Sequence, residues 1–292
     1  MEKSVFLISV NGNITNAEEA FIPAMDRGFL YGDSVYEATR TFHKKPFHWP
    51  FHLSRLFESA KKMEIDITYS ADEISAEVQK IIDQHPSPNI TLRIQLSRGT
   101  NRELGLSRNL VAAKNNLIIY AKTLSPNPES WLTKGWKTVS YRLPFQKVGS
   151  QTKAGSYIEN MLALEKAKSQ GLDDALFLNL DGSLLEGTTS NIWFIDYAGV
   201  IHTPSLDQGL LDGITRQSLI KLFSAHGIAF SEGRYELQDL LNAREAFITS
   251  SSRFLVPIVE VDGQKIGSGA PGARTLELLN LYLSEIKKEY VI

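Results

Sequence analysis

Lys153 is the residue whose type and neighbours first suggest chemistry. It stands in Gly149-Ser-Gln-Thr-Lys-Ala-Gly155, among small residues that would let a ligand approach closely. A lysine amine becomes a Schiff-base nucleophile when burial or neighbours favour its neutral form, and it can later carry a proton. Taken alone, the same lysine in a polar loop would simply be solvated. Leu210-Leu-Asp-Gly-Ile-Thr-Arg216 reads as strand, turn and helix start, with Gly213 at the turn. The first N–H groups of a helix have no intrahelical partner and sit at the positive end of its dipole, which together make an anion site. The alternative is an ordinary helix start with Asp212 as cap. Glu186, in Leu184-Leu-Glu-Gly-Thr-Thr-Ser-Asn191, could pair with a protonated heterocyclic nitrogen and keep that ring an electron sink, or could be a surface hairpin carboxylate. Thr249-Ser-Ser-Ser-Arg253 gathers hydroxyls and main-chain donors that would hold either an anion or water. Arg55 falls on the polar side of a helix.

The elements that must position these residues are legible in the spacing. Residues 5–10 and the turn Asn11-Gly12 read as a strand entering a hairpin. Leu53, Leu56, Phe57, Ala60 and Met63 recur at helical spacing over residues 50–65. A second helix is expected to start at Ser70, with Glu73 reaching back in a capping box and Pro86 and Pro88 ending it. Ile90, Leu92, Ile94 and Leu96 alternate with Thr91, Arg93, Gln95 and Ser97, the period of a half-buried strand with Arg93 and Gln95 on its polar face. Residues 116–122 form another strand. Thr123-Leu-Ser-Pro-Asn-Pro-Glu-Ser130 suits an interdomain linker, so the expected division is a domain over 1–124, a linker over 125–131 and a domain over 132–292. In the second part a helix over 156–170 is expected with Ser156 and Glu159 as a capping box and Gly171 as its stop, then a hairpin turn at Asp181-Gly182. Further helices should run from Ile214 to Gly227 and over 272–288, with strands over 246–248 and 254–261.

Length and composition set the outer bounds. A single core grows inefficiently beyond ~250 residues, so 292 residues favour two domains. Thirty-one basic and thirty-three acidic side chains leave a net charge of −2, without the broad positive surface that binds nucleic acid or anionic lipid. Small molecules are the expected partners. The absence of cysteine excludes disulfides, a thiolate nucleophile and a Cys-ligated metal site, and no metal is invoked. The cytoplasm is the expected compartment: no stretch approaches the ~18 apolar residues of a membrane span, and the N-terminal apolar run is broken by Ser9.

In order along the chain, six motifs resemble those of the class IV aminotransferases, the family of branched-chain and D-amino acid aminotransferases and 4-amino-4-deoxychorismate lyases. They are Asp26-Arg-Gly-Phe-Leu-Tyr-Gly-Asp-Ser-Val-Tyr-Glu37, His52-Leu-Ser-Arg-Leu56, the Lys153 segment, Leu185-Glu-Gly-Thr-Thr-Ser-Asn191, Gly213-Ile-Thr-Arg216 and, more loosely, Phe247-Ile-Thr-Ser-Ser-Ser252. The resemblance implies an α/β (α+β) fold of two domains, a small N-terminal α/β domain and a larger C-terminal one with a β-barrel-like core. Pyridoxal 5′-phosphate would lie between them, and the working unit would be a homodimer. Carried over by position, Lys153 would form the Schiff base and move the α-proton, and Glu186 would bind the ring nitrogen. Arg55, Gly213, the N–H groups of Ile214 and Thr215, and Ser251 would hold the phosphate. Leu211 would pack on the ring and Tyr157 would bond its phenolic oxygen. Tyr31, Tyr36, Arg93, Arg98, Ser252 and Arg253 fall on the substrate side, Arg253 with a second carboxylate as one role and solvent as the other. The implied activity is amino transfer between an amino acid and a 2-oxo acid, with a pyruvate-releasing lyase and a D-amino acid aminotransferase as alternatives. In Arg98-Gly-Thr-Asn-Arg-Glu-Leu-Gly105, Arg102 comes one residue early for the D-specific pattern and no histidine follows, while Val35-Tyr-Glu-Ala-Thr-Arg40 resembles branched-chain and general class IV enzymes better, so the resemblance leans that way.

Overall fold

The computed structural model describes residues 4–147 and 151–290, and the chain divides into two compact units. The first takes the residues up to Ser125 together with Thr152–Tyr157 and Tyr290; the second takes Pro126–Gln151 and Ile158–Glu289. The Lys153 segment thus lies with the first unit, although it follows the linker by some twenty residues.

In the first unit, β1 (Phe6–Val10) and β2 (Asn13–Asn16) form a hairpin whose two turn residues, Asn11 and Gly12, both have positive φ, as a tight two-residue turn requires. Then come α1 (Arg27–Tyr31), β3 (Ser34–Phe42), the short β4 (Lys45–Pro46), α2 (Trp49–Lys62), α3 (Ala71–Gln84), β5 (Ile90–Ser97) and β6 (Leu117–Thr123). The strands build one antiparallel sheet in the order β2-β1-β6-β5-β3-β4. On β5 the alternating Ile90, Leu92, Ile94 and Leu96 are all buried, and they meet Leu56 and Ala60 of α2 and Ile74, Val78, Ile81 and Ile82 of α3 in one core. Full burial of each such side chain contributes about 1.5–3 kcal/mol. The Ser70 and Glu73 capping box is present in both directions. α3 stops at Gln84 before Pro86, because a residue preceding proline avoids the helical region.

The second unit runs α4 (Ser130–Thr133), β7 (Trp136–Arg142), α5 (Ile158–Ser169), β8 (Asp174–Leu178), β9 (Leu184–Gly187), β10 (Asn191–Ile195), β11 (Ile201–Pro204), α6 (Ile214–Ala225), β12 (Phe230–Gly233), α7 (Leu237–Leu241), β13 (Glu245–Ser250), β14 (Phe254–Val261), β15 (Gln264–Lys265) and α8 (Ala273–Glu289). Strands β10-β13-β14-β7-β8-β9 pair in turn, and β9 pairs back on β10 through Glu186 and Asn191, so six strands close into a barrel. The expected barrel-like core is therefore present. β7 and β8 are parallel, which requires a crossover connection, and α5 lies within it. Trp193, fully buried, stacks on Phe247, abuts Phe223 edge-on and donates its indole N–H to Thr249 Oγ1 at 3.0 Å. One local expectation is corrected. α5 begins at Ile158, two residues after Ser156, and Glu159 accepts a hydrogen bond from Tyr141 instead of closing a capping box. Among the described residues no helix is long and apolar enough to cross a membrane.

Ser70→Ala removes the acceptor for Glu73 N–H and should lower stability by about 1 kcal/mol. A denaturant titration should show a lower midpoint with an unchanged slope.

Candidate active site

Lys153 is seated on β3 by main-chain contacts. Tyr36 N–H donates to Lys153 O at 3.0 Å, Gly155 N–H donates to Ser34 O at 2.7 Å, and Val35 and Ala154 form an antiparallel bridge. Lys153 N–H also reaches Ser59 Oγ on α2 at 3.4 Å. A Cβ on Gly155 would fall 2.0 Å from Ser34 Oγ, so a side chain there would push that hydroxyl off its bond from Gln95. With its main chain fixed in this way, Lys153 brings Nζ to 4.7 Å from the centre of the Tyr36 ring. Tyr157 meets the same ring edge-on at 5.5 Å, and the Arg93 guanidinium covers it at 3.8 Å. Arg93 is steadied by Gln95 Oε1, and Gln95 donates in turn to Ser34 Oγ. Burial pushes the Tyr36 hydroxyl far above its ordinary pKa, so it stays protonated.

Arg55 is not a solvated arginine. It donates from Nε to Glu37 Oε1 at 2.8 Å and from the guanidinium to Oε2 at 2.7 Å, while His52 Nδ1 lies 2.6 Å from Oε2. Glu37 and His52 are fully buried. Burial alone would push the Glu37 carboxyl up, but the charge and hydrogen bonds of Arg55, with the bond from His52, outweigh it and hold the group at about 2. Burial lowers the His52 pKa, so the ring is neutral and donates its Nδ1–H. The sequence reading missed both residues as site components. Their signal was present: Glu37 shares the core face of β3 with Val35, and His52 shares the buried stripe of α2 with Leu56, where an ionisable group needs a partner.

The second unit carries the other constellation. Glu186 lies at the barrel closure, largely buried, with Oε2 accepting from Leu211 N–H at 3.2 Å and Oε1 3.2 Å from Lys147 Nζ. Asn191, its cross-strand partner, donates from Nδ2 to Leu211 O at 2.8 Å. Gly213, not Asp212, is the N-cap of α6 and makes no side-chain cap; a Cβ on it would fall 2.1 Å from Asn191 Oδ1. Asp212 instead pairs with Arg216 at 3.3 Å and accepts from Gln217. Ile214 and Thr215 open α6 and are both buried, and Thr215 Oγ1 has no hydrogen-bond partner. Ser251 and Ser252 lie in the turn between β13 and β14. Arg253 beside them donates to Ser250 Oγ at 3.2 Å and to Thr189 Oγ1, and its guanidinium lies 5.2 Å from the Trp136 ring.

Two substrate-side candidates belong to a different cluster. Arg98 is spent on Asp33 and on the carbonyls of Met63 and Glu64, and Tyr31 accepts from Gly105 N–H at 3.2 Å. Arg27, also on Asp33, donates to the carbonyls of Gly105, Leu106 and Ser107, so this cluster fixes the loop after Arg98. Gly149 and Ser150 of the lysine motif lie outside the described residues.

Residues 34–261 match the family model described as amino-transferase class IV. The chain belongs to the class IV aminotransferases. It is 32% identical to the aminodeoxychorismate lyase of Bacillus subtilis (strain 168), over 96% of this chain and 95% of that one. It is also 32% identical to a putative branched-chain-amino-acid aminotransferase of Methanocaldococcus jannaschii, over 93% of each chain, and 28% identical to the D-alanine aminotransferase of Bacillus licheniformis, over 95% and 98%. Among solved structures, the branched-chain amino acid aminotransferase of Escherichia coli superposes with a TM-score of 0.85 at 26% identity, covering 96% of this chain and 94% of that one, which establishes the shared fold. The family is one of pyridoxal-phosphate enzymes. The residues here fit that cofactor: the orphaned, buried Thr215 hydroxyl and the uncapped N-terminus of α6 are donors suited to a phosphate, and Glu186 is an acidic partner suited to a ring nitrogen.

Glu37→Gln removes the carboxylate that Arg55 holds from two nitrogens and should lower stability by roughly 3–5 kcal/mol, as breaking a buried pair does. The folded pKa of Glu37 is below its ordinary 4.5, so its contribution is complete above that pH and is lost as pH falls toward 2. His52 acts in the same sense, starting below its ordinary 6.5, because the unfolded chain takes up a proton that the buried ring refuses. Stability measured against pH should therefore fall less steeply below pH 4.5 in Glu37→Gln than in the unaltered protein.

Proposed function

We propose that this protein transfers an amino group between an amino acid, branched-chain or similar, and a 2-oxo acid, with Lys153 as the amine that reacts. The reading is carried by the seating of Lys153 on β3, which puts Nζ 4.7 Å from the centre of the Tyr36 ring that Arg93 also covers. A reactive amine beside a fixed guanidinium suits a substrate that carries both an amino group and a carboxylate.

When bound, pyridoxal phosphate supplies the electron sink for the pair left behind as a proton leaves the substrate α-carbon. Lys153 Nζ takes that proton and returns it. Glu186 partners the ring nitrogen and Leu211 packs beside it. Ile214 N–H, Thr215 N–H and Thr215 Oγ1 bind the phosphate, where Gly213 leaves room, with Ser251 and Arg55 in support; Glu37 keeps the Arg55 guanidinium oriented. Tyr157 bonds the phenolic oxygen. Tyr36 and Arg93 orient the substrate, with Ser252 and Arg253 near its carboxylate. Tyr31 and Arg98 act through the loop and turn that they hold.

The second reading is a carbon–carbon lyase that releases pyruvate from 4-amino-4-deoxychorismate, and the Bacillus subtilis relative supports it. Transfer to a D-amino acid is the third. The exposed Phe21, Phe29, Leu104 and Leu106 support a homodimer, because large apolar side chains at 67–81% exposure favour a covering surface. Cytoplasmic location fits a chain without cysteine.

Lys153→Ala should abolish the near-visible absorbance of the purified protein and its turnover together, and full activity in that variant would end the proposal. A panel of L- and D-amino acids with 2-oxoglutarate and pyruvate as acceptors should yield oxo acids from L-branched-chain donors; pyruvate release from 4-amino-4-deoxychorismate instead would establish the lyase. Light scattering should give a mass twice the 32.6 kDa of one chain.

A further inference from the structure

Lys147 is built onto Glu186, the carboxylate proposed as the ring-nitrogen partner. Its main-chain N–H donates to Asn179 Oδ1 at 3.0 Å. Asn179 is completely buried and is tied in turn to Gln208 O at 2.9 Å and to Ser183 Oγ at 3.3 Å, so the root of the lysine is fixed by the barrel side of the chain. From there its side chain passes the Phe177 ring, 5.3 Å from Nζ, and ends 3.2 Å from Glu186 Oε1. The two side chains are only 17% and 11% exposed, which separates this pair from the surface ion pairs of the molecule, such as Lys80–Glu77. Glu186 Oε2 already accepts from Leu211 N–H. Both oxygens of the carboxylate are therefore engaged, one of them by a full positive charge.

We propose that Lys147 is a countercharge that competes with the pyridoxal-phosphate ring nitrogen for Glu186, lowering both that nitrogen's hold on its proton and the protein's affinity for the cofactor. The inference rests on Glu186 being the ring-nitrogen partner. A protonated ring nitrogen and an ammonium are like charges drawn to one carboxylate, and each weakens the other's attraction to it. In a site this enclosed the competition is only partly screened by water. Lys147 is a tuning residue, since it touches Glu186 and acts through it.

The test compares pyridoxal-phosphate binding by the full-length protein and its variants after removal of cofactor, followed by tryptophan fluorescence, with thermal melts to check folding. Lys147→Met should bind about fivefold more tightly, Lys147→Arg should match the unaltered protein, and Glu186→Gln should bind at least about tenfold more weakly, the scale of roughly one partly buried charge interaction. With ring-¹⁵N-labelled cofactor, the nitrogen signal should move toward its protonated position in Lys147→Met. Weakened binding in Glu186→Gln with no tightening in Lys147→Met would overturn the role of Lys147 and leave that of Glu186. A Lys147→Arg protein that behaves like Lys147→Met would also overturn it, because the charge would then not be the cause. Unchanged binding in Glu186→Gln would remove the ring-nitrogen assignment itself, and this inference with it.

Discussion

Two main-chain hydrogen bonds between residues 34–36 and 153–155, which together make one antiparallel bridge, decide how the first unit seats Lys153. A flexible lysine carries about 2 kcal/mol of rotamer entropy, and its amine is useful only if its root is fixed. The antiparallel bridge on β3 supplies that root, and it works because Gly155 leaves space for Ser34. β3 then sorts its own side chains by the alternation of a strand. Val35 and Glu37 turn to the face covered by α2, and Tyr36 turns to the face shared with Arg93 and Gln95 of β5. The lysine joins the Tyr36 side of this division. The ion cluster of Arg55 and His52 joins the other.

The second unit solves a comparable problem by closing a barrel. Pairing of β9 with β10 is short, yet it fixes Glu186 against Asn191, and Asn191 reaches Leu211 just ahead of α6. Glu186 takes the N–H of that same Leu211 while Asn191 takes its carbonyl group as acceptor, so one residue couples the barrel seam to the helix start. Gly213 is the consequence: with Asn191 Oδ1 so close, no side chain fits, and the turn cannot supply its own cap. The helix N-terminus therefore carries no side-chain cap, which makes its first N–H groups suited to an anion.

Local patterns in the sequence translated well into elements. The alternation of residues 90–97, the Ser70–Glu73 cap and the glycine stops after α5 and α6 each depend on contacts only a few positions apart. What was not legible depends on pairings across long separations. Nothing near Glu37 announces Arg55, 18 residues away, and nothing near Lys147 announces Glu186, 39 residues away. Nor does anything near Arg98 announce its partner Asp33, 65 residues distant. The Ser156–Glu159 cap failed for the same reason: Glu159 found Tyr141 across the fold, and a tertiary partner displaced the local one.

The two central glutamates show how burial and donor count divide one chemical group between two uses. Glu37 is completely enclosed, and Arg55 and His52 meet both of its oxygens, so its charge is neutralised in place and its effect is to stiffen Arg55. Releasing it would strand an ionised group away from water, which is prohibitive. Glu186 keeps some exposure, and its partners are one amide N–H and one lysine at 3.2 Å each, both longer than the contacts to Glu37. The first carboxylate is therefore committed to the protein itself, while the second is held by fewer and longer contacts, in keeping with the proposal that it also partners a ring nitrogen.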